Sequence, residues 1–398
     1  MLKRFTTAAV IVCAVLLAAS AAFPAPQEAA EKQPKDMAEY ELINKTFEEA
    51  DPATKLQLLA EWQEKYPESD YKEDRLRLVM RTNQAAGKLA EAIGGAEEVL
   101  RQFPGDFEAN LTIATLTPGL GSESAEVLSA GEKASSSLIA GGKPANLSDE
   151  QWNSVKGQIL TTSHQTLGWV HMQRKDNVKA ESEFKTVLGM NPNLGQVSYW
   201  LGNVVLAQGD PDKNELALFS FARAAVYEGE GALPAAGRTQ VADYLSTLYG
   251  KYAGTQDGLD ALKQAAMKQP LPPAGLTIES ASVREFKAEE ARRDANPLVY
   301  VFIDLRDALT GSTGDSVWSN LQGKVSPKME LYVLGADSDR PQRLNLGSQP
   351  GGPVEVVLNL ENRLRAAPSR GSKVNFEGVA SNMTKSPFQL TLTAGSTF

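Results

Sequence analysis

Residues 161–194 read TTSHQTLGWVHMQRKDNVKAESEFKTVLGMNPNL. Leu167 and Gly168 hold the seventh and eighth positions of this stretch, Ala180 the twentieth, Phe184 the twenty-fourth and Pro192 the thirty-second. The spacing predicts two helices that cross closely. Gly168 and Ala180 are small where the backbones approach, and Phe184 and Val187 lie one turn apart, able to fill the gap toward a neighbouring unit. Pro192 stops the second helix. The pattern returns in residues 195–230, with Leu201-Gly202 in the first helix and Ala217, Phe221 and Ala224 in the second, after three extra residues around Gly209-Asp210-Pro211.

Working outward, weaker units precede these two. One runs from Asp36 to Pro67, its second helix opened by the cap Asp51 and an N1 proline, Pro52. Another runs from Glu73 to Pro104. Between 105 and 160 the pattern degenerates: Asp106–Leu116 reads as a short helix broken at Thr117-Pro118-Gly119, Ser122–Ala140 as its partner, and Ser148 with Gln151 as the capping box of a long helix. The last pair is Pro234–Tyr252 and Thr255–Lys268. Six helical pairs therefore occupy 36–270. The 161–194 unit and its successor resemble the tetratricopeptide repeat, a 34-residue helix–turn–helix; a non-repeat helical domain with coincidental spacing is the alternative.

The resemblance implies a concave face lined by the first helix of each pair. Gln165, Trp169, Met172, Tyr199 and Asn203 map to that face in the two good units, and Arg77 and Arg81 take the equivalent places in the unit from Glu73. An aromatic, a methionine and an amide suit an extended peptide, giving flat apolar contact and backbone hydrogen bonds. The competing reading has Trp169 and Tyr199 packing between repeats. Gln165 and Tyr199 stand where a carboxylate-gripping tetratricopeptide domain would have lysines, so a chaperone-type clamp is not expected.

After Pro270-Leu271-Pro272-Pro273 the texture changes. Residues 271–296 read as a linker with a charged helix at 284–293, and 297–398 as a β-rich piece. Pro297–Leu309 fits a helical stripe through Leu298, Val301, Phe302 and Leu305, though LVYVFI is also rich in strand formers; Ser316–Leu321 reads as a turn or two of helix. Strands are expected at Glu330–Leu334, Arg343–Leu346, Val354–Leu360, Lys373–Ala380 and Phe388–Thr393, with Ser381–Pro387 as a linker. The set reads as a small antiparallel barrel or sandwich. Its ending, GSKVNFEGVASNMTKSPFQLTL, looks like the closing strands of an OB-type barrel. The whole arrangement resembles exported bacterial tetratricopeptide-repeat proteins of unknown function with a β-rich, OB-like C-terminal domain. The fold class expected is therefore α+β multidomain, a helical-repeat solenoid followed by a small β domain.

Residues 1–22 read as a signal peptide. Lys3 and Arg4 precede the uncharged stretch Ala8–Ala19, which at 12 residues is too short to span a bilayer, and small residues follow with cleavage expected near Ala21-Ala22. A retained anchor is the alternative. Residues 23–35 form a polar leader. The single cysteine, Cys13, leaves with the signal, so no disulfide is expected, and net charge moves from −9 to −11 on loss of Lys3 and Arg4. No later stretch approaches 18 apolar residues, so a soluble periplasmic or extracellular protein is expected.

Charge and composition restrict function. Residues 276–398 carry 14 basic and 14 acidic side chains, and 26–275 carry 24 and 35, so neither has the basic footprint of a nucleic-acid groove. Arg363, Arg365, Arg370 and Lys373 cluster beside Pro368, as a solvated loop or as a contact for an anionic glycan or partner. His164 and His171 lie seven apart on one helix, about 10 Å, too far to share a metal. No metal or cofactor is expected, and no hydrolase, zinc-protease or phosphate-loop motif occurs. Asp304 and Asp307 could share a helix face. The reading is a non-catalytic, protein- or peptide-binding scaffold of the envelope, not an enzyme; the rival is a glycan-binding or glycan-active envelope protein working through carboxylates.

Overall fold

The computed structural model describes residues 32–398. The expected signal segment 1–22, Cys13 and the leader up to residue 31 lie outside the described residues. The chain forms two compact units, one ending at Ile278 and one spanning Glu279–Phe398.

The first unit is helical: α1 Met37–Glu48, α2 Pro52–Lys65, α3 Lys72–Ala85, α4 Leu89–Gln102, α5 Phe107–Leu120, α6 Ala125–Ala140, α7 Asp149–Gln173, α8 Asn177–Met190, α9 Gly195–Leu206, α10 Asn214–Val226, α11 Ala235–Ala253 and α12 Leu259–Lys268. The helices follow one another as six consecutive pairs; neighbours pack in order from α1 to α11, and α12 packs on α10. Caps set many of the starts: the side chains of Asp36, Asp51, Asp106, Ser124, Ser148 and Asp176 each accept a first-turn amide, and Ser148 and Gln151 complete a reciprocal capping box.

The small residues of the repeat do what the spacing requires. A Cβ on Gly168 would stand 2.5 Å from the Phe184 ring, and one on Gly202 would stand 2.9 Å from the Phe221 ring. Two pairs thus share one joint, a glycine in the first helix seating a phenylalanine of the second, and both phenylalanines are fully buried. This joint, repeated, makes the array tetratricopeptide-like. Helix α10 is buried on every side from Ala217 to Ala225, as befits a helix flanked by α9, α11 and α12.

One expected break is absent. Helix α5 runs through Pro118 to a left-handed cap at Gly121 rather than stopping near Thr117. Proline cannot donate to the carbonyl four residues back, which is that of Ala114. Thr166 on α7 supplies the donor instead, its Oγ1 2.6 Å from the Ala114 oxygen. The neighbouring first helix repairs the defect, so the helix continues.

The second unit begins with α13 Ala281–Ala295, α14 Pro297–Thr310 and α15 Gly314–Leu321, then β1 Met329–Ala336, β2 Arg343–Gly347, β3 Val356–Leu360, β4 Lys373–Lys385 and β5 Phe388–Thr397. The strands close into a barrel in the order β1-β2-β3-β5-β4. Four pairings are antiparallel, with registers such as Met329↔Phe376 and Leu344↔Leu358, and β3 pairs with β5 in parallel, Val356↔Leu390. The parallel pair follows from closure: β3 lies two antiparallel steps from β1 through β2, and β5 two steps through β4. The expected linker Ser381–Pro387 is largely strand. β4 continues to Lys385 because a bulge between Ala380 and Asn382 bends it, and pairing with β5 resumes as far as Lys385↔Phe388. Alternate residues fill the barrel, among them Leu331, Leu344, Leu358, Phe376 and Leu392, and Phe302 of α14 adds its ring from outside the sheet. Phe302 meets Phe388 edge-on at 6.2 Å.

Candidate functional site

The sequence-derived site residues fall into two groups on the first helices of the array. Arg77 on α3 pairs with Glu73 of its own helix and with Asp106 and Glu108 at the start of α5. Arg81, one turn on, forks onto the Glu108 carboxylate. Burial works against the Arg77 charge, but Glu73 and Asp106 outweigh it and hold the guanidinium above its ordinary range. Glu108 does the same for Arg81, against the opposing effect of burial. These arginines join the second and third pairs. They are occupied, by Glu73 of their own helix and by Asp106 and Glu108 of the neighbouring repeat.

The second group belongs to the fourth and fifth pairs. Trp169 on α7 is 4% exposed and sits in a cluster with Leu128, Val170, Met172 and Trp200. Its indole is out of a ligand's reach, so as a contact residue it is a correction: large aromatic volume between successive first helices is claimed by packing. Gln165 and Met172 are half-buried on the same helix. Tyr199 on α9 is half-buried and lies edge-on to Phe221, with ring centroids 6.0 Å apart. Asn203, one turn further, donates its Nδ2 to the Tyr199 carbonyl at 3.0 Å.

Two residues not singled out from the sequence complete this surface. Tyr244 on α11 also stands edge-on to Phe221, 5.1 Å between centroids, so two tyrosines from adjacent first helices meet one buried phenylalanine. Burial pushes the Tyr244 phenol up, and the nearby Tyr199 adds to the shift. Trp200 is half-buried against Phe184, centroids 5.7 Å apart. Trp200 had a sequence signal, since it directly follows Tyr199. Tyr244 did not, because residues 227–234 take α11 out of register with the repeat. Tyr199, Tyr244 and Gln165 make no side-chain hydrogen bond among the described residues, so their polar groups remain available.

Other chemistry-bearing residues are committed elsewhere. His164 Nδ1 lies 2.6 Å from Glu183 of α8, inside one helical pair. Asp304 pairs with Arg293, and Asp307 with Arg306. Among the described residues no cluster of His, Cys, Asp and Glu could hold a metal ion, and no helix is long and apolar enough to cross a membrane.

No protein-family model matches the chain, and no curated relative matches it. Among solved structures it is similar to a thermophilic TPR protein of Thermus thermophilus, at 14% identity and a TM-score of 0.28, over 53% of this chain and 98% of that one.

Proposed function

We propose that this is a non-catalytic scaffold of the bacterial periplasm or cell envelope, binding an extended protein or peptide segment on the first-helix face of the array. The observation that carries the reading is the Tyr199–Phe221–Tyr244 stack. Two half-buried tyrosines are fixed edge-on to a shared ring, and their hydroxyls are uncommitted. Rigid aromatic surface with a polar tip, held by packing, suits a peptide backbone at low entropic cost. Asn203 and Gln165 extend the polar edge, and Met172 the apolar one. Export rests on the signal-like segment 1–22, and an OB-like character for the second unit is supported by its strand order.

Site-specific photo-crosslinking tests the reading. A crosslinker at Asn203 is expected to trap the envelope partner, and one at Val178, exposed on second helix α8, is expected not to. Tyr199→Ala with Tyr244→Ala should weaken capture by about tenfold or more. Trapping from Val178 alone, or full capture by the double variant, would place the partner elsewhere.

A further inference from the structure

We infer that the barrel carries a second binding site, separate from the array, for an acidic peptide segment. The site is formed where the β1–β2 and β3–β4 loops meet. The two loops are laced through backbone: Leu364 N donates to Pro341 O at 3.0 Å, Ala367 N to Asp339 O at 2.8 Å, and Leu360 N to Gln342 O at 2.8 Å. Gly371 N closes the far side onto Val333 O at 2.7 Å. Leu364 turns toward the barrel core. Its neighbours Arg363 and Arg365 are exposed, as are Arg340, Arg343 and Arg370.

None of these five arginines forms an ion pair among the described residues; Arg363 Nη1 reaches only as far as the Arg340 carbonyl, at 3.4 Å. That is unusual for this chain. In the helical unit Arg77, Arg81, Arg101, Arg174 and Arg238 all pair with carboxylates. Arg75 and Arg223 bind carbonyls there. Unpaired guanidiniums thus concentrate at one end of the barrel. Because β3 and β5 run parallel, the loop after β3 lies at the end opposite Phe388, where Phe302 packs.

The chemistry selects the ligand. A guanidinium fork matches a planar carboxylate in two parallel hydrogen bonds. Neither loop holds an aromatic side chain, so bases have no stacking platform. Asp337, Asp339 and Glu361 are interspersed with the arginines. They would repel a uniformly charged polymer, and they suit a segment whose carboxylates are spaced by neutral residues. Asp337 is held by backbone amides, including that of Gln342 at 3.1 Å; Arg343 and Arg363 act on it through their charge, but neither closes an ion pair with it.

Fluorescence anisotropy with the full chain and a labelled peptide of alternating glutamate and glycine tests this. Binding is expected at low salt, weakening as ionic strength rises past about 0.1 M. Arg363→Ala with Arg365→Ala should lose about tenfold or more in affinity. Arg340→Ala with Arg370→Ala should lose a similar amount, which guards against misfolding of the first variant. Arg284→Ala, half-buried on α13 and outside both loops, should bind as the parent does. The proposal is overturned if the parent chain does not bind, if both double variants bind equally well, or if heparin, an oligothymidine or phosphatidylglycerol vesicles bind more tightly than the peptide.

Discussion

The helical array and the barrel loops use arginine in opposite ways. In the array the guanidinium is a structural joint. Arg75 reaches from α3 to the end of α2 and its following turn, donating to the carbonyls of Tyr66 at 2.8 Å and Pro67 at 3.3 Å, and lies over the Trp62 ring. Arg223 reaches from α10 to Ala266 and Met267 at the end of α12 and to Pro192 after α8, at 2.8–3.0 Å. The last carbonyls of a helix have no partner of their own, and a buried helix end needs one. In the second unit Arg340, Arg343, Arg363, Arg365 and Arg370 stand outside on the barrel loops and pair with no carboxylate among the described residues, while Arg306 of α14 alone reaches a buried group, Glu355, at 2.8 Å. A closed sheet satisfies its own backbone, so it needs no such joints and can turn its cations outward.

Removing a joint should therefore be costly. Arg223→Ala leaves the buried Ala266 carbonyl without its donor and frees the part-buried carbonyls of Met267 and Pro192, and at about 1–3 kcal/mol for a buried unsatisfied group the loss should reach about 2–3 kcal/mol. Urea unfolding followed by circular dichroism measures it. A loss under about 1 kcal/mol would mean that water replaces the guanidinium and that the joint is no joint.

An anionic counterpart gives a smaller effect with a pH signature. Glu181 on α8 is buried, with Lys185, Lys213 at 2.8 Å and Gln208 at 2.8 Å around its carboxylate. Burial alone would raise its pKa, but the bonds from Lys185, Lys213 and Gln208 outweigh burial and hold it at about 2, against an ordinary 4.5. The depressed value means the unfolded chain takes up the proton first. The stabilisation is thus present above pH 4.5 and is lost as the pH falls toward 2. Glu181→Gln should cost about 1–2 kcal/mol near pH 6, with the gap between variant and parent closing across that window. A gap of constant size down to pH 2 would sink the assignment.

Much of this architecture is legible in the sequence, because period and volume act locally. Gly168 and Gly202 announce where paired helices come close, although the spacing sent Phe184 toward the next unit and the folded chain also seats it on Gly168; Asp51-Pro52 and Ser148 announce helix starts. What escapes is decided between elements. Pro118 reads as a break until Thr166, 48 residues on, is seen supplying the missing donor. Trp169 reads as accessible because a helical wheel gives direction and not what lies beyond it. Tyr244 is hidden by the insertion at 227–234. Arg223 did carry a signal: in FSFARAAV a lone charge amid apolar residues must find buried partners or break the helix. The β3–β5 pairing and the bulge that carries β4 past Ala380 depend on closure of the barrel, which no strand reveals alone.

The smallest effect is the most discriminating. If the barrel arginines are kept for contact rather than for fold, Arg363→Ala with Arg365→Ala should shift unfolding free energy by no more than about 0.5 kcal/mol, since exposed side chains without carboxylate partners contribute little. The loop lacing supports this, because it runs through amides and carbonyls of Leu364, Ala367 and Gly371. A chemical unfolding series on the parent and the double variant, at low and high salt, reads the difference. A loss comparable to that of Arg223→Ala would erase the contrast between the units and make the barrel's arginines structural as well.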